Sequence, residues 1–154
     1  MAFSVSKPAS MWLLILTIVL IVLSVIQIVR VNRPKTIDDP IEKRIYTAPG
    51  PLLANQIEVP ASGFFSHKID LNRRMKLNGT FRTANLKSTV AVLILREVDL
   101  DMWKSGAGVS PIVKTNSVPG GRITPVLEPG IYYLVIDNRS VDQVQLVTTD
   151  FVME

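Results

Sequence analysis

Few side chains in this sequence are of the types that catalyse reactions or bind metals. His67 is the single histidine, and the absence of cysteine excludes disulfides and thiolate metal sites. A Ser-His-Asp arrangement would have to use His67, but no serine stands in a glycine-flanked nucleophile elbow. Asp99 and Asp101 are too few to form an oxygen cage for calcium. We therefore expect no enzyme activity, no cofactor and no metal site.

Phosphate and nucleic acid are also disfavoured as ligands. The run Pro119-Gly-Gly-Arg122 precedes a predicted strand, so the helix dipole that binds phosphate is missing. The net charge of +4 is modest and spread along the chain. A nucleic-acid interface would need a basic stripe or interleaved aromatic rings. The sequence therefore predicts no nucleic-acid partner.

Aromatic side chains supply the predicted contact surface. Tyr132 and Tyr133 are adjacent in a predicted strand, so alternation places them on opposite faces. One of the two rings then faces away from the core, and together with Trp103 it would form an exposed surface. We assign this surface to Trp103 and Tyr132, and the sequence leaves open whether it binds protein or sugar.

The elements that must position these residues begin with a membrane anchor. Residues 11–29 contain no charged side chain. A helix of that length, at about 1.5 Å per residue, spans roughly 28 Å, close to the hydrocarbon thickness of a bilayer. A cleaved signal peptide is the competing interpretation, but the apolar run is too long and no small-x-small site follows. We predict a transmembrane helix with Trp12 at one interface and Arg30 and Arg33 at the other.

Ser24 and Gln27 are polar residues within this predicted span, and they lie three residues apart. Residues at that spacing share a helix face, which predicts a packing face against another membrane helix. The alternative is that Ser24 bonds to its own backbone and Gln27 reaches water at the interface.

The charges around the span give conflicting indications of orientation. Lys7 precedes the span, whereas Arg30, Arg33 and Lys35 follow it. The positive-inside rule places the following domain in the cytoplasm on this count. An N-terminal anchor followed by a β-rich domain is more typical of an exported domain, and we favour a periplasmic location at the inner membrane.

Four segments follow from these patterns: an N-terminal tail at residues 1–10, the anchor at 11–29, a linker at 30–52 and a folded domain at 53–154. The linker contains Pro34, Pro40, Pro49 and Pro51, and this density of proline favours extended chain.

Short strands separated by turn residues fill the predicted domain. Phe65, His67, Ile69 and Leu71 lie on one side of a period-two run, and a second such run follows in residues 75–83. Residues 90–95 predict a fully buried strand, 131–136 a second central strand and 144–153 the last strand. Turn signals are Asn78-Gly79, Pro119-Gly120-Gly121, Pro129-Gly130 and Asn138-Arg139-Ser140. About seven strands without a long helix predict an all-β antiparallel sandwich, with at most one helical turn at residues 98–104.

The strand Val126-Leu-Glu-Pro-Gly-Ile-Tyr-Tyr-Leu-Val-Ile-Asp-Asn-Arg139 and the following Gln145-Leu-Val-Thr-Thr-Asp-Phe-Val152 resemble small bacterial β-sandwich domains of the pre-peptidase type. They are also similar to the GOLD domain of eukaryotic cargo receptors, a jelly-roll-like sandwich used for protein contacts. The resemblance covers about residues 57 to 154. Unlike the GOLD receptors, this chain lacks a cysteine pair, has its predicted anchor at the N-terminus and has no cytosolic sorting tail. The resemblance therefore implies a contact-making sandwich but not cargo transport.

These patterns predict a non-catalytic accessory subunit of a larger membrane complex, for example a photosynthetic or respiratory assembly. The helix would pack in the bilayer, and the sandwich would contact neighbouring subunits. The alternative is a membrane-tethered binding module for carbohydrate or another small ligand.

Overall fold

The computed structural model describes residue 20, residues 36–38 and residues 45–154 of the chain. Within residues 45–154 one helix, α1 (Glu97–Lys104), lies between strands β7 and β8. The strands are β1 (Thr36–Asp38), β2 (Ile45–Tyr46), β3 (Gly50–Leu53), β4 (Gln56–Val59), β5 (Phe64–Leu71), β6 (Met75–Thr83), β7 (Ala91–Arg96), β8 (Val113–Lys114), β9 (Gly120–Ile123), β10 (Val126–Leu127), β11 (Gly130–Asp137) and β12 (Gln145–Met153).

Two six-stranded sheets face each other. The first, called the covered sheet, has the order β1-β5-β11-β7-β8, with β2 also paired to β5. The second, called the open sheet, has the order β10-β6-β12-β3, with β4 also on β12 and β9 also on β6. All pairings are antiparallel except those of β1 and β2, which run parallel to β5. The predicted β-sandwich is therefore confirmed, with more strands than expected and two parallel pairings.

Period-two sequence patterns produce the core between the sheets. In β6 and β12 every second residue is buried, while the residues between them are exposed or half-buried. Leu77 and Phe151 of the open sheet pack in one apolar cluster with Ile69 and Leu134 of the covered sheet. Because an antiparallel sheet can bury one face and solvate the other, this alternation fixes which side of the open sheet meets water.

Strand β7 departs from alternation because both of its faces are covered. Val92 and Ile94 lie in the core between the sheets. Leu93 and Leu95 lie on the opposite face, in a second apolar cluster under α1. This confirms the fully buried strand predicted at residues 90–95. The helix is longer than the single turn expected, since it continues over eight residues from Glu97.

Two predicted turns lie inside strands instead. Gly79 sits in the middle of β6 because the ring of Phe151 occupies the space where a side chain would be. Gly120 and Gly121 belong to β9, an edge strand in which glycine is tolerated. The predictions of turns at Asn78-Gly79 and Pro119-Gly120-Gly121 were therefore wrong. The turn signal Pro129-Gly130 lies directly at the start of β11, where Gly130 has φ +152°.

The predicted linker contributes strands to both sheets. A compact unit comprises residues 34–154, so the folded domain begins well before residue 53. Part of the linker pairs with β5 through β1 and β2, and β3 pairs with β12. Proline-rich sequence disfavours helix but permits such short edge strands.

The predicted transmembrane helix lies outside the described residues apart from Leu20. The same holds for Trp12, Ser24, Gln27, Arg30 and Arg33. Within the described part of the chain, no helix has the length and apolar character needed to cross a bilayer.

Candidate contact surface

The single histidine lies on the inner side of the sandwich. His67 is in β5, opposite Leu134 of β11. Its same-face neighbours Phe65 and Ile69 both belong to the core cluster, and His67 itself is half-buried. Across the described ranges, no three His, Asp or Glu side chains come together as a potential metal site.

Trp103, predicted to form an exposed surface, is buried on α1. Its side chain is 6% exposed and packs edge-on against Phe64 of β5, with 4.9 Å between ring centroids. The guanidinium of Arg139 lies 3.8 Å from the centroid of the Trp103 ring. The prediction is corrected because α1 folds onto the covered sheet and directs Trp103 into it.

Tyr132 is also buried, at 8% exposure, within the core between the sheets. Its hydroxyl donates a hydrogen bond to the backbone oxygen of Glu128 at 2.9 Å. Tyr133 is on the opposite face, as alternation predicts, and packs half-buried against the cluster under α1. Since helix and sheet enclose both tyrosines, these residues do not form the predicted contact surface.

Arg139 ties the end of β11 to α1. Its Nε donates to Asp137 Oδ1 at 2.9 Å, and its Nη2 donates to Asp137 Oδ2 at 3.2 Å. Nη1 donates to the backbone oxygen of Trp103 at 3.2 Å. The fork-shaped pairing and the stacked Trp103 ring explain why this residue is an arginine. We assign the Asp137–Arg139–Trp103 group to the stability of the helix packing.

The outer side of the open sheet faces solvent, and we call it the open face. Whereas α1 covers the corresponding side of the other sheet, no described element packs over the open face. Its side chains come from alternate positions of β6 (Lys76, Asn78, Thr80, Arg82) and of β12 (Leu146, Thr148, Asp150, Val152).

The strand register brings complementary groups together on the open face. Arg82 is opposite Thr148, and Thr80 is opposite Asp150. On its other side, Thr80 is opposite Arg122 of β9. Short threonine side chains therefore alternate with charged ones across three strands, which gives a low and polar surface.

A cleft of about 460 Å³ opens on the open face beside β9. Thr80, Arg82, Thr148 and Asp150 line one part of it, and Leu86 and Pro119 line another. Gly120 and Gly121 also line it, so the cleft is wide where a side chain would otherwise stand. Leu86, 73% exposed, gives the rim an apolar element.

A hydrogen-bonded network orders the other end of the open face. Arg122 Nε and Nη2 donate to Asn78 Oδ1 at 3.1 and 2.8 Å. Asn78 Nδ2 donates to Glu154 Oε1 at 2.8 Å, and Lys76 Nζ is 3.8 Å from Glu154 Oε2. All four side chains have polar partners while staying accessible, so the surface is ordered without being covered.

The sequence contained a signal for the open face in the alternating polar residues of 76–82 and 146–152. These residues are absent from the predicted sites because the contact surface was predicted from aromatic residues instead. Alternation identifies the solvated face of a strand, but only the tertiary structure shows that α1 covers the other sheet.

No known protein family matches the sequence, and no curated protein matches it. Solved structures do resemble the fold. The mitogen of Yersinia pseudotuberculosis is 13% identical, with a TM-score of 0.46 over 68% of this chain and 84% of that one. PliG of Aeromonas hydrophila, a periplasmic inhibitor of g-type lysozyme, is 8% identical, with a TM-score of 0.43 over 79% of this chain and 98% of that one.

The pre-peptidase C-terminal domain of a Bacillus anthracis collagenase is 10% identical, with a TM-score of 0.39 over 75% of this chain and 95% of that domain. At these identities and TM-scores the similarity concerns the fold alone. The β-sandwich that the resemblance to pre-peptidase-type domains implies is present in the two facing sheets of this chain.

Proposed function

We propose that this protein is a non-catalytic accessory subunit whose sandwich uses the open face to contact a protein in a larger membrane assembly. The predicted span at residues 11–29 would tether it to the bilayer. In this proposal the sandwich acts as GOLD-like domains do, through protein contacts, and it lies on the periplasmic side of the membrane.

The observation that carries the proposal is that α1 covers the outer face of one sheet, whereas no described element covers the outer face of the other. The covered sheet is closed by α1, which places Leu100 and Trp103 over Leu93 and Val135. The open sheet has no such cover among the described residues, yet its surface groups are ordered by hydrogen bonds. A non-obligate protein interface is, as a whole, about as polar as the rest of a protein surface, so the polar character of the open face is compatible with a protein contact.

The protein-contact proposal is preferred to the carbohydrate-binding alternative. Sugar binding was expected to use exposed rings of Trp103 and Tyr132, and both rings are buried. The one aromatic residue that contributes to the cleft on the open face, Phe81, is itself 2% exposed. The cleft therefore lacks a flat ring on which a sugar would stack.

Gentle detergent extraction of the full chain tests the proposal, with native mass spectrometry of the purified sample as the readout. We expect the unmodified chain to co-purify with other subunits. Thr148→Tyr, which adds a large ring at the cleft, should reduce that co-purification at least tenfold. A chain that is monomeric and free of other proteins would refute the proposed function.

Thr47→Tyr is the matched control, because Thr47 is an exposed threonine after β2, on the other sheet. It should leave the complex intact. Equal loss of partners in both variants would indicate a general defect instead of a contact through the open face. Thermal unfolding of each variant establishes that both remain folded.

A further inference from the structure

We infer that the edge of the open sheet formed by residues 119–127 binds an extended, acidic segment of the partner protein as an additional β-strand. This inference rests on the proposed function and specifies how the contact is made. Residues 119–127 are called the free edge below.

The free edge runs as one strand along the whole of β6. Thr80 of β6 pairs with Arg122 of β9, and Lys76 of β6 pairs with Val126 of β10. Both pairs have the same register. Between and beyond these strands, Thr83 N donates to Pro119 O at 2.8 Å, and Leu77 N donates to Pro125 O at 2.9 Å. Residues 124–125, which lie between β9 and β10, therefore do not interrupt the edge.

The register determines which backbone groups point away from β6. Odd-numbered residues of the free edge, including Pro119 and Pro125, direct their backbone oxygens to β6. Successive residues of a strand alternate in this direction, so the even-numbered residues direct their N–H and C=O groups outward. These residues are Gly120, Arg122, Thr124 and Val126, and all four are exposed.

The placement of proline leaves this outward row complete. Both prolines are at positions that face β6. The N–H that proline lacks is therefore missing from the pairing with β6 and not from the outward row. Strands β9 and β10 pair only with β6 in the described part of the chain. Four outward donors and four acceptors therefore remain available along one line, which is the arrangement that strand addition uses.

The other sheet edges are protected in the ways that natural proteins use. Opposite the free edge, β3 and β4 follow β12 in one register from Leu53 to Val59, but a register shift between Phe151 and Val152 interrupts the edge beyond Leu53. In the covered sheet, β8 has two residues, one of them Lys114, and β2 has two residues. The free edge is longer than each of these and contains neither lysine nor a register shift.

Charge beside the free edge selects an acidic occupant. Arg122 projects from the free edge and Arg82 from the adjacent strand, whereas Lys76 is paired with Glu154 and Asp150 lies one strand further away. Residues 119–127 contain no acidic side chain, and neither Arg82 nor Arg122 forms an ion pair with any described residue. Opposite charges on neighbouring strands stabilise a sheet and like charges destabilise it. A second copy of this chain would bring the two basic edges together, so we commit to a different, acidic protein segment.

The experiment uses the full chain in detergent micelles and a capped nine-residue peptide of alternating threonine and glutamate. The readout is amide hydrogen exchange by NMR. In the chain alone, the amides of Arg122, Thr124 and Val126 should exchange freely while those of Gly121 and Ile123 are protected. The peptide should slow exchange at the three outward amides at least tenfold. The same peptide with lysine in place of glutamate should have less than a third of that effect.

Thr124→Pro removes one outward donor and leaves the inward bonds of the neighbouring residues. We expect it to weaken peptide binding about tenfold, because one hydrogen bond is lost and its acceptor is left unmatched. Thr124→Val retains the N–H and should bind as the unmodified chain does. Arg122→Gln should abolish the preference for glutamate over lysine.

Several outcomes would overturn the inference. These are absence of acidic-peptide binding, protection of amides elsewhere, or equal binding by Thr124→Pro and Thr124→Val. Protection of the free edge in the chain alone, together with a dimer in sedimentation, would identify a second copy as the occupant.

If Thr148→Tyr releases the partner while Thr124→Pro binds the peptide normally, the contact function stands and strand addition does not. If the chain has no partner but the peptide binds as expected, only the proposed function fails.

Discussion

At the scale of single residues, a close contact between neighbouring strands of the open sheet leaves little room for substitution. Gly79 of β6 is opposite Phe151 of β12, and the ring of Phe151 lies over the glycine. A Cβ added at Gly79 would collide with the ring of Phe151. The glycine therefore provides the space in which a fully buried aromatic ring packs.

Gly79→Ala is expected to destabilise the domain by about 1–3 kcal/mol, since the buried ring must move to accept the methyl group. The free energy of unfolding from urea titrations measures the effect. Gly50→Ala is the control, because no atom lies within 4 Å of a Cβ at that position. Equal stabilities of the two variants would show that Phe151 relaxes without cost.

Arg139 illustrates a different residue-scale constraint, in which geometry matters more than charge. Arg139→Lys keeps the positive charge but removes the two-pronged pairing with Asp137 and the planar contact with Trp103. We expect a loss of about 1–2 kcal/mol of unfolding free energy.

The control for this change is Arg74→Lys, because Arg74 pairs with Glu128 at the surface, where the two side chains are 69% and 67% exposed. Exposed ion pairs contribute little, so its effect should stay below about 0.5 kcal/mol. A loss in Arg139→Lys no larger than in Arg74→Lys would contradict the role assigned to the Asp137–Arg139–Trp103 group.

At the scale of elements, α1 decides which sheet is covered. Its buried face carries Leu100 and Trp103, whereas Val98 on the opposite face is 76% exposed. The helix is eight residues long, and helices this short are marginal without tertiary contacts. Packing of its apolar face on the covered sheet therefore stabilises it.

Leu100→Ala should cost about 2–4 kcal/mol of unfolding free energy, because a buried side chain is replaced by a cavity. Val98→Ala on the same helix should change stability by less than about 0.5 kcal/mol. Urea unfolding followed by Trp103 fluorescence measures both. If the Val98 and Leu100 variants were equally stable, α1 would not be held by its buried face.

The elements also show what the sequence could and could not predict. Alternation in residues 75–83 predicts β6 and its buried side correctly, because a period of two is a local property, and the last strand predicted at residues 144–153 corresponds to β12. The second apolar cluster could not be predicted, since it depends on α1 returning to β7 and β11 across the sheet. Trp103 was assigned to the surface for the same reason, because its neighbour Phe64 is close in space but distant in sequence.

The free edge also could not be predicted from the sequence, because it depends on tertiary pairing and not on local pattern. Glycines and prolines in residues 119–130 are ordinary turn signals, and the sequence predicts turns there. Pairing with β6 converts residues 119–127 into an edge strand. Only that long-range register reveals which backbone groups face outward.

At the scale of the whole molecule, the division into compact units predicts which fragment folds. The unit comprising residues 34–154 contains β1 and β2, which pair with β5, and β3, which pairs with β12. These strands lie before residue 53, where the sequence places the start of the folded domain. They also contribute Tyr46 and Leu52 to the core, each 7% exposed.

A fragment of residues 34–154 is expected to unfold in one cooperative transition, followed by its one tryptophan, Trp103. A fragment of residues 53–154 loses the buried area of Tyr46 and Leu52, at about 1.5–3 kcal/mol for each large side chain. Since a domain of this size is stable by about 5–15 kcal/mol in total, the shorter fragment should have a much lower urea midpoint or fail to fold. Equal midpoints would mean that β1, β2 and β3 are peripheral to the sandwich. A low midpoint in the longer fragment as well would mean that residues 34–154 do not form an independent folding unit.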